Sequence, residues 1–205
     1  MDYLSKLIKR DWYYLIKITV IFIAAIMVGS WLPELNPSLA KMIQTEVLQR
    51  FSKIAQAMKN GPLALEIFVI FTNNMTASIT AILSGIIIIP IFPFVMLIGN
   101  GVVVGLFQRV METKIGLNPF AYYSSLLPHG LFELPAFFIA VGLGIRLGLA
   151  IFGTIRESLQ AKNDLSPLKK FFQELPYYLG LIAVLLLVAA AMEVTVSPLL
   201  LQQKH

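Results

Sequence analysis

Hydrophobic positions in this chain fall into long runs separated by short polar stretches, and the run lengths set the elements. A membrane-spanning helix needs roughly 20 largely apolar residues. The first such run is 12–32, with Trp12, Tyr13 and Tyr14 at one end and Trp31 at the other, as in an aromatic belt. The run 63–107 contains no charged residue except Glu66. It is too long for one span and suits two, divided between Ser84-Gly85 and Pro93, because Pro90 and Pro93 cannot continue a regular helix. The spans are therefore placed at 63–84 and 88–107, followed by a fourth at 128–152 and a fifth at 175–194.

A different period marks 37–58. Leu39, Met42, Ile43, Val47, Phe51, Ile54 and Met58 recur at three-and-four spacing, the signature of an amphipathic helix. Pro37 suits its first turn and Asn60-Gly61-Pro62 ends it. Its polar side mixes Lys41, Glu46, Arg50 and Lys53. Such a helix either lies on the headgroups and caps the bundle or offers Ile43, Val47 and Phe51 to a partner. Residues 2–11 predict a short amphipathic lead-in on the cytoplasmic leaflet, with Leu4, Leu7 and Ile8 on one face. The stretch 153–174 predicts a polar, basic connection with a turn at Asp164-Leu165-Ser166-Pro167.

Composition agrees with this pattern. Apolar residues make up 58% and charged residues 13%, against about 45–50% and about 25% in soluble domains. Mean hydropathy is +0.79. The fold class is all-α: one polytopic membrane domain over 1–205, with about five transmembrane helices and one extracytoplasmic amphipathic helix. The net charge of +5 fits Lys and Arg beside anionic lipid headgroups. No interleaving of basic and aromatic residues points to nucleic acid. There is no cysteine, hence no disulfide and no thiolate chemistry.

Lys6, Lys9 and Arg10 before an apolar run resemble a signal peptide, and Val28-Gly29-Ser30 a cleavage site. The run is long and aromatic, so an uncleaved first span is expected. The basic flank before it and Glu34 after it orient the chain N-in and C-out. Arg146 then snorkels towards the cytoplasmic side.

Polar residues inside the spans are costly and therefore informative. Asn73 and Asn74 in the second span and Asn100 in the third fall at similar depth, which predicts interhelical hydrogen bonds between them. Gly101 and Gly105 form a small-xxx-small pair for close helix approach, within the bundle or in a homodimer. Glu66, Arg109, Glu133 and Glu193 lie towards the outer ends of their spans, with His129 at the same level, and are expected to form a buried ion-pair network. His129 and Glu133 share a helical face and could supply two metal ligands. The only other histidine is His205, so neither a metal site nor a cofactor is expected. Ser124 and Ser125 near His129 are too generic to mark a nucleophile, and no enzyme activity is expected.

Taken together, these motifs resemble the stage II sporulation protein M family. The resemblance runs through Phe71-Thr72-Asn73-Asn74, then Asn100-Gly101 with Gly105, then Leu127-Pro128-His129-Gly130 with Glu133-Leu134-Pro135-Ala136, and ends at Glu193 with Ser197-Pro198. It implies a multi-pass cell-membrane protein without a catalytic role. It further implies engulfment during sporulation and anchoring of extracytoplasmic peptidoglycan-remodelling proteins, with the helix at 37–58 facing the cell wall. The competing expectation is a small transporter or channel component with a polar path lined by Asn73, Asn74 and Asn100. A third is an intramembrane metalloenzyme using His129 and Glu133.

Overall fold

The computed structural model describes residues 2–58, 61–87, 91–159 and 165–195. These form six helices: α1 (Asp2–Leu35), α2 (Pro37–Met58), α3 (Leu63–Ser84), α4 (Ile91–Ile115), α5 (Pro119–Leu159) and α6 (Ser166–Thr195). All except α2 contain a stretch long and apolar enough to cross a membrane, which gives five spans. The chain is an all-α, multi-pass membrane protein.

Local chemistry sets the helix boundaries. Asn36 separates α1 from α2. Its Oδ1 accepts from the Leu39 N–H at 3.1 Å and from the Ser38 hydroxyl at 2.8 Å, so it caps α2 with Pro37 at the first helical position. Asn118 does the same for α5, accepting from the Phe120 N–H at 2.8 Å ahead of Pro119. Between them α4 ends at Gly116, whose φ of +68° is open to glycine at little cost. The Gly116 N–H bonds the Glu112 carbonyl at 3.0 Å and closes the helix. Both α2 and α3 match their expected limits.

Elsewhere the helices outrun the expectation. α1 absorbs the lead-in at 2–11 as one continuous helix rather than a separate surface segment. α5 starts at Pro119 instead of 128 and runs for 41 residues, through Pro128 and Pro135. Each proline leaves one carbonyl, of Ser124 and Leu131, without its helical donor, yet the helix continues. α6 begins at Ser166 instead of 175, so much of the expected connection is helical. Asp164, Pro90, Ser197 and Pro198 lie outside the described residues.

α5 occupies the centre. Ala136, Ala140 and Val141 have no exposed surface, and Leu143 and Leu147 almost none. Phe138 meets Phe22 of α1 edge to face at 5.2 Å between ring centroids, a preferred aromatic geometry. α1 packs chiefly on α4, α6 on α5, and α3 on α5 and α6. Lipid tails are as apolar as leucine, so these contacts rest on close packing more than on water exclusion.

Candidate functional site

The closest packing is a glycine seam between α1 and α4. A Cβ on Gly105 would lie 1.9 Å from the Ile26 carbonyl oxygen, and one on Gly101 2.7 Å from the Ala25 Cβ. From the other side, a Cβ on Gly29 would lie 2.1 Å from the Val102 carbonyl oxygen. Gly101 and Gly105 are thus occupied within the chain, which leaves neither free to seat a second copy. A second seam joins α3 and α5, where Gly85 and Gly144 meet backbone to backbone.

This seam decides where the nearby polar groups point. Because α4 turns its glycines towards α1, Asn100 is exposed, and its Nδ2 donates to the Met96 carbonyl of its own helix at 2.9 Å. Asn73 donates to its neighbour Asn74 at 3.1 Å. The expected interhelical bonds between these amides are not made. Likewise Arg109, one turn beyond Gly105, follows the seam to α1. Its Nε donates to Glu34 at 2.7 Å and its Nη1 to Glu112 at 3.2 Å. It does not join Glu66, Glu133 or Glu193, and among the described residues those three carboxylates make no ion pair. The charged cluster at this end is therefore Glu34–Arg109–Glu112. The His129 side chain lies outside what is described, and no group of three or more metal-ligating side chains occurs among the described residues. Pro128 and Gly130 are half-buried and Pro135 is exposed on α5.

Just outside this end, α2 touches α1, α3 and α4. Ala40 is buried against the bundle, and Ile43 and Val47 are half-buried. Its most exposed apolar groups are Met42, 59% exposed, and Leu48, 47% exposed, with Leu39 at 37%. Sequence spacing had singled out Ile43, Val47 and Phe51. The Phe51 side chain lies outside what is described. Met42 belonged to the same apolar period, but only the packed bundle separates its face from that of Ile43. Nearby, the Tyr122 hydroxyl on α5 donates to the Val104 carbonyl at 3.2 Å. Burial, aided by Tyr123, pushes this phenol up to about 12, so it remains a neutral donor.

The opposite end holds a cluster the sequence reading missed. Arg10 of α1 reaches Glu174 of α6 through both terminal nitrogens, each at 2.8 Å. Arg146 of α5 also donates to Glu174, and at 3.3 Å to Asp11. The Tyr178 hydroxyl donates to Asp11. Glu174 is only 2% exposed. Two guanidinium groups thus balance two carboxylates and tie three helices together. Bidentate pairing suits the planar guanidinium and adds geometric definition to charge. The available signal was Arg146, a lone cation in an apolar stretch. Reading it as snorkelling to the headgroups sent it to lipid rather than to Asp11 and Glu174.

Residues 18–198 match the model of a family described as stage II sporulation protein M. No curated protein and no solved structure matches the chain.

Proposed function

Because the chain belongs to the stage II sporulation protein M family, we propose that it is a non-catalytic membrane scaffold that positions extracytoplasmic peptidoglycan-remodelling proteins. The observation that carries this reading is α2. It is an amphipathic helix held at one end of a five-span bundle, with Met42 and Leu48 turned away from that bundle. A capped start at Asn36 and a buried Ala40 fix its position, so it presents its outer face without first having to fold. Preorganisation of this kind reduces the ordering cost of binding. In this reading the N-terminus is cytoplasmic and α2 faces the cell wall of the host. The process served is engulfment of the forespore in an organism that sporulates.

In-cell photocrosslinking from Met42 and Ile43, with mass-spectrometric identification, tests the reading. Capture of extracytoplasmic wall-remodelling enzymes is the expected result. Replacing Met42, Ile43, Val47 and Leu48 by serine should then abolish recruitment while membrane insertion stays normal. Recruitment that survives these replacements would overturn the role given to α2.

A further inference from the structure

The elbow joining α5 to α6 extends well past the ion-pair network. At 1.5 Å per residue, Leu159 lies about 20 Å along α5 from Arg146, and Ser166 about 12 Å along α6 from Glu174. The surface of this elbow is neither a core nor an ordinary soluble face. Phe152, Ile155 and Leu159 on α5 and Leu165 and Phe172 around the start of α6 are 47–84% exposed. Interleaved with them are Arg156, Lys169 and Lys170, all exposed. None of these three cations forms an ion pair among the described residues. Lys169 and Lys170 line an open recess along the start of α6, together with Ser166, Pro167, Gln173 and Glu174, the last of which is already held by Arg10 and Arg146.

We propose that this elbow is a docking surface for anionic phospholipid headgroups. The apolar side chains enter the acyl region while Arg156, Lys169 and Lys170 hold headgroup phosphates. Charge complementarity selects this occupant. Unpaired cations beside large apolar side chains match a layer that is anionic at its surface and hydrocarbon beneath. The contrast within the molecule supports it. Arg146, deeper along α5, and Arg10 of α1 are neutralised by Asp11 and Glu174, whereas Arg156, Lys169 and Lys170 beside the exposed apolar side chains of the elbow are not. The proposal does not depend on which side of the membrane the elbow faces.

The test uses the full chain purified in detergent, with native mass spectrometry of bound phosphatidylglycerol against phosphatidylcholine. The expected result is preferential retention of phosphatidylglycerol. The double variant Lys169→Gln/Lys170→Gln should weaken that retention by about tenfold. The Lys169→Arg/Lys170→Arg variant should keep it, and so should Lys41→Gln/Lys53→Gln on α2. Raising salt from about 0.1 to about 0.5 M should also weaken it. Equal retention of the two lipids, or an unchanged preference in the double glutamine variant, would overturn the proposal. So would an equal loss from the α2 variant. Capture of a soluble protein by the elbow with no lipid preference would assign the surface to another partner and overturn it as well.

Discussion

At the scale of single residues, Glu174 bears the most concentrated demand. It is almost fully enclosed and accepts from Arg10 and Arg146. Removing it leaves two guanidinium groups facing Asp11 alone. Breaking a buried pair this way costs about 3 kcal/mol, the low end of the usual range, because both arginines keep partial exposure. Glu174→Ala should lower the stability of the purified protein by that amount in denaturant titration, and Glu174→Gln by less. A change below about 1 kcal/mol for the alanine variant would mean that water or lipid already satisfies the arginines. This site was poorly legible in the sequence for a definite reason. Its four charged members come from α1, α5 and α6, and Arg10 and Asp11 read naturally as headgroup-facing flanks. Only the relative depth of three helices brings them together. The same blindness misplaced Arg109, whose partner Glu34 lies on a helix 75 residues away in the chain.

At the scale of helices, the seam between α1 and α4 sets the geometry of everything near Asn100 and Arg109. Valine at Gly105 would drive its side chain into the Ile26 carbonyl, a backbone atom that cannot rotate away. Gly105→Val should therefore destabilise the protein by about 3 kcal/mol and loosen the Arg109–Glu34 pair at the same end. Gly99 is the matched control, since a Cβ there meets nothing within 4 Å. Gly99→Ala should be neutral or stabilising by up to about 1 kcal/mol. Equal effects of the two would refute the seam. Helix existence and type were readable throughout, because hydrophobic run length and the period of α2 are local properties. The limits of α2 and α3 were readable because Pro37, Pro62 and Gly85 punctuate them. The start of α5 was not. Pro128 looks like a boundary in sequence, whereas a helix already capped at Asn118 and packed at the centre of the bundle carries through it.

At the scale of the whole molecule, an odd number of spans places α2 and the elbow on opposite sides of the membrane. The proposed orientation rests on the distribution of Lys and Arg. Lys6, Lys9 and Arg10 sit at the start of the first span, and Arg156, Lys169 and Lys170 flank the elbow, all at one end. The other end mixes Lys41, Arg50, Lys53, Arg109 and Lys114 with Glu34, Glu46 and Glu112. The positive-inside rule counts basic residues near span ends rather than net charge, and the first span carries the clearest bias, so the elbow should be cytoplasmic and α2 extracytoplasmic. The absence of cysteine makes this directly measurable. Met42→Cys and Lys170→Cys each introduce a unique, exposed thiol. A membrane-impermeant maleimide applied to intact cells should label the first, and should label the second only after the membrane is permeabilised. The reverse pattern would put α2 in the cytoplasm. It would remove the basis for extracytoplasmic partners at Met42 and Leu48, while leaving the glycine seam, the ion-pair network and the lipid preference of the elbow to stand on their own geometry.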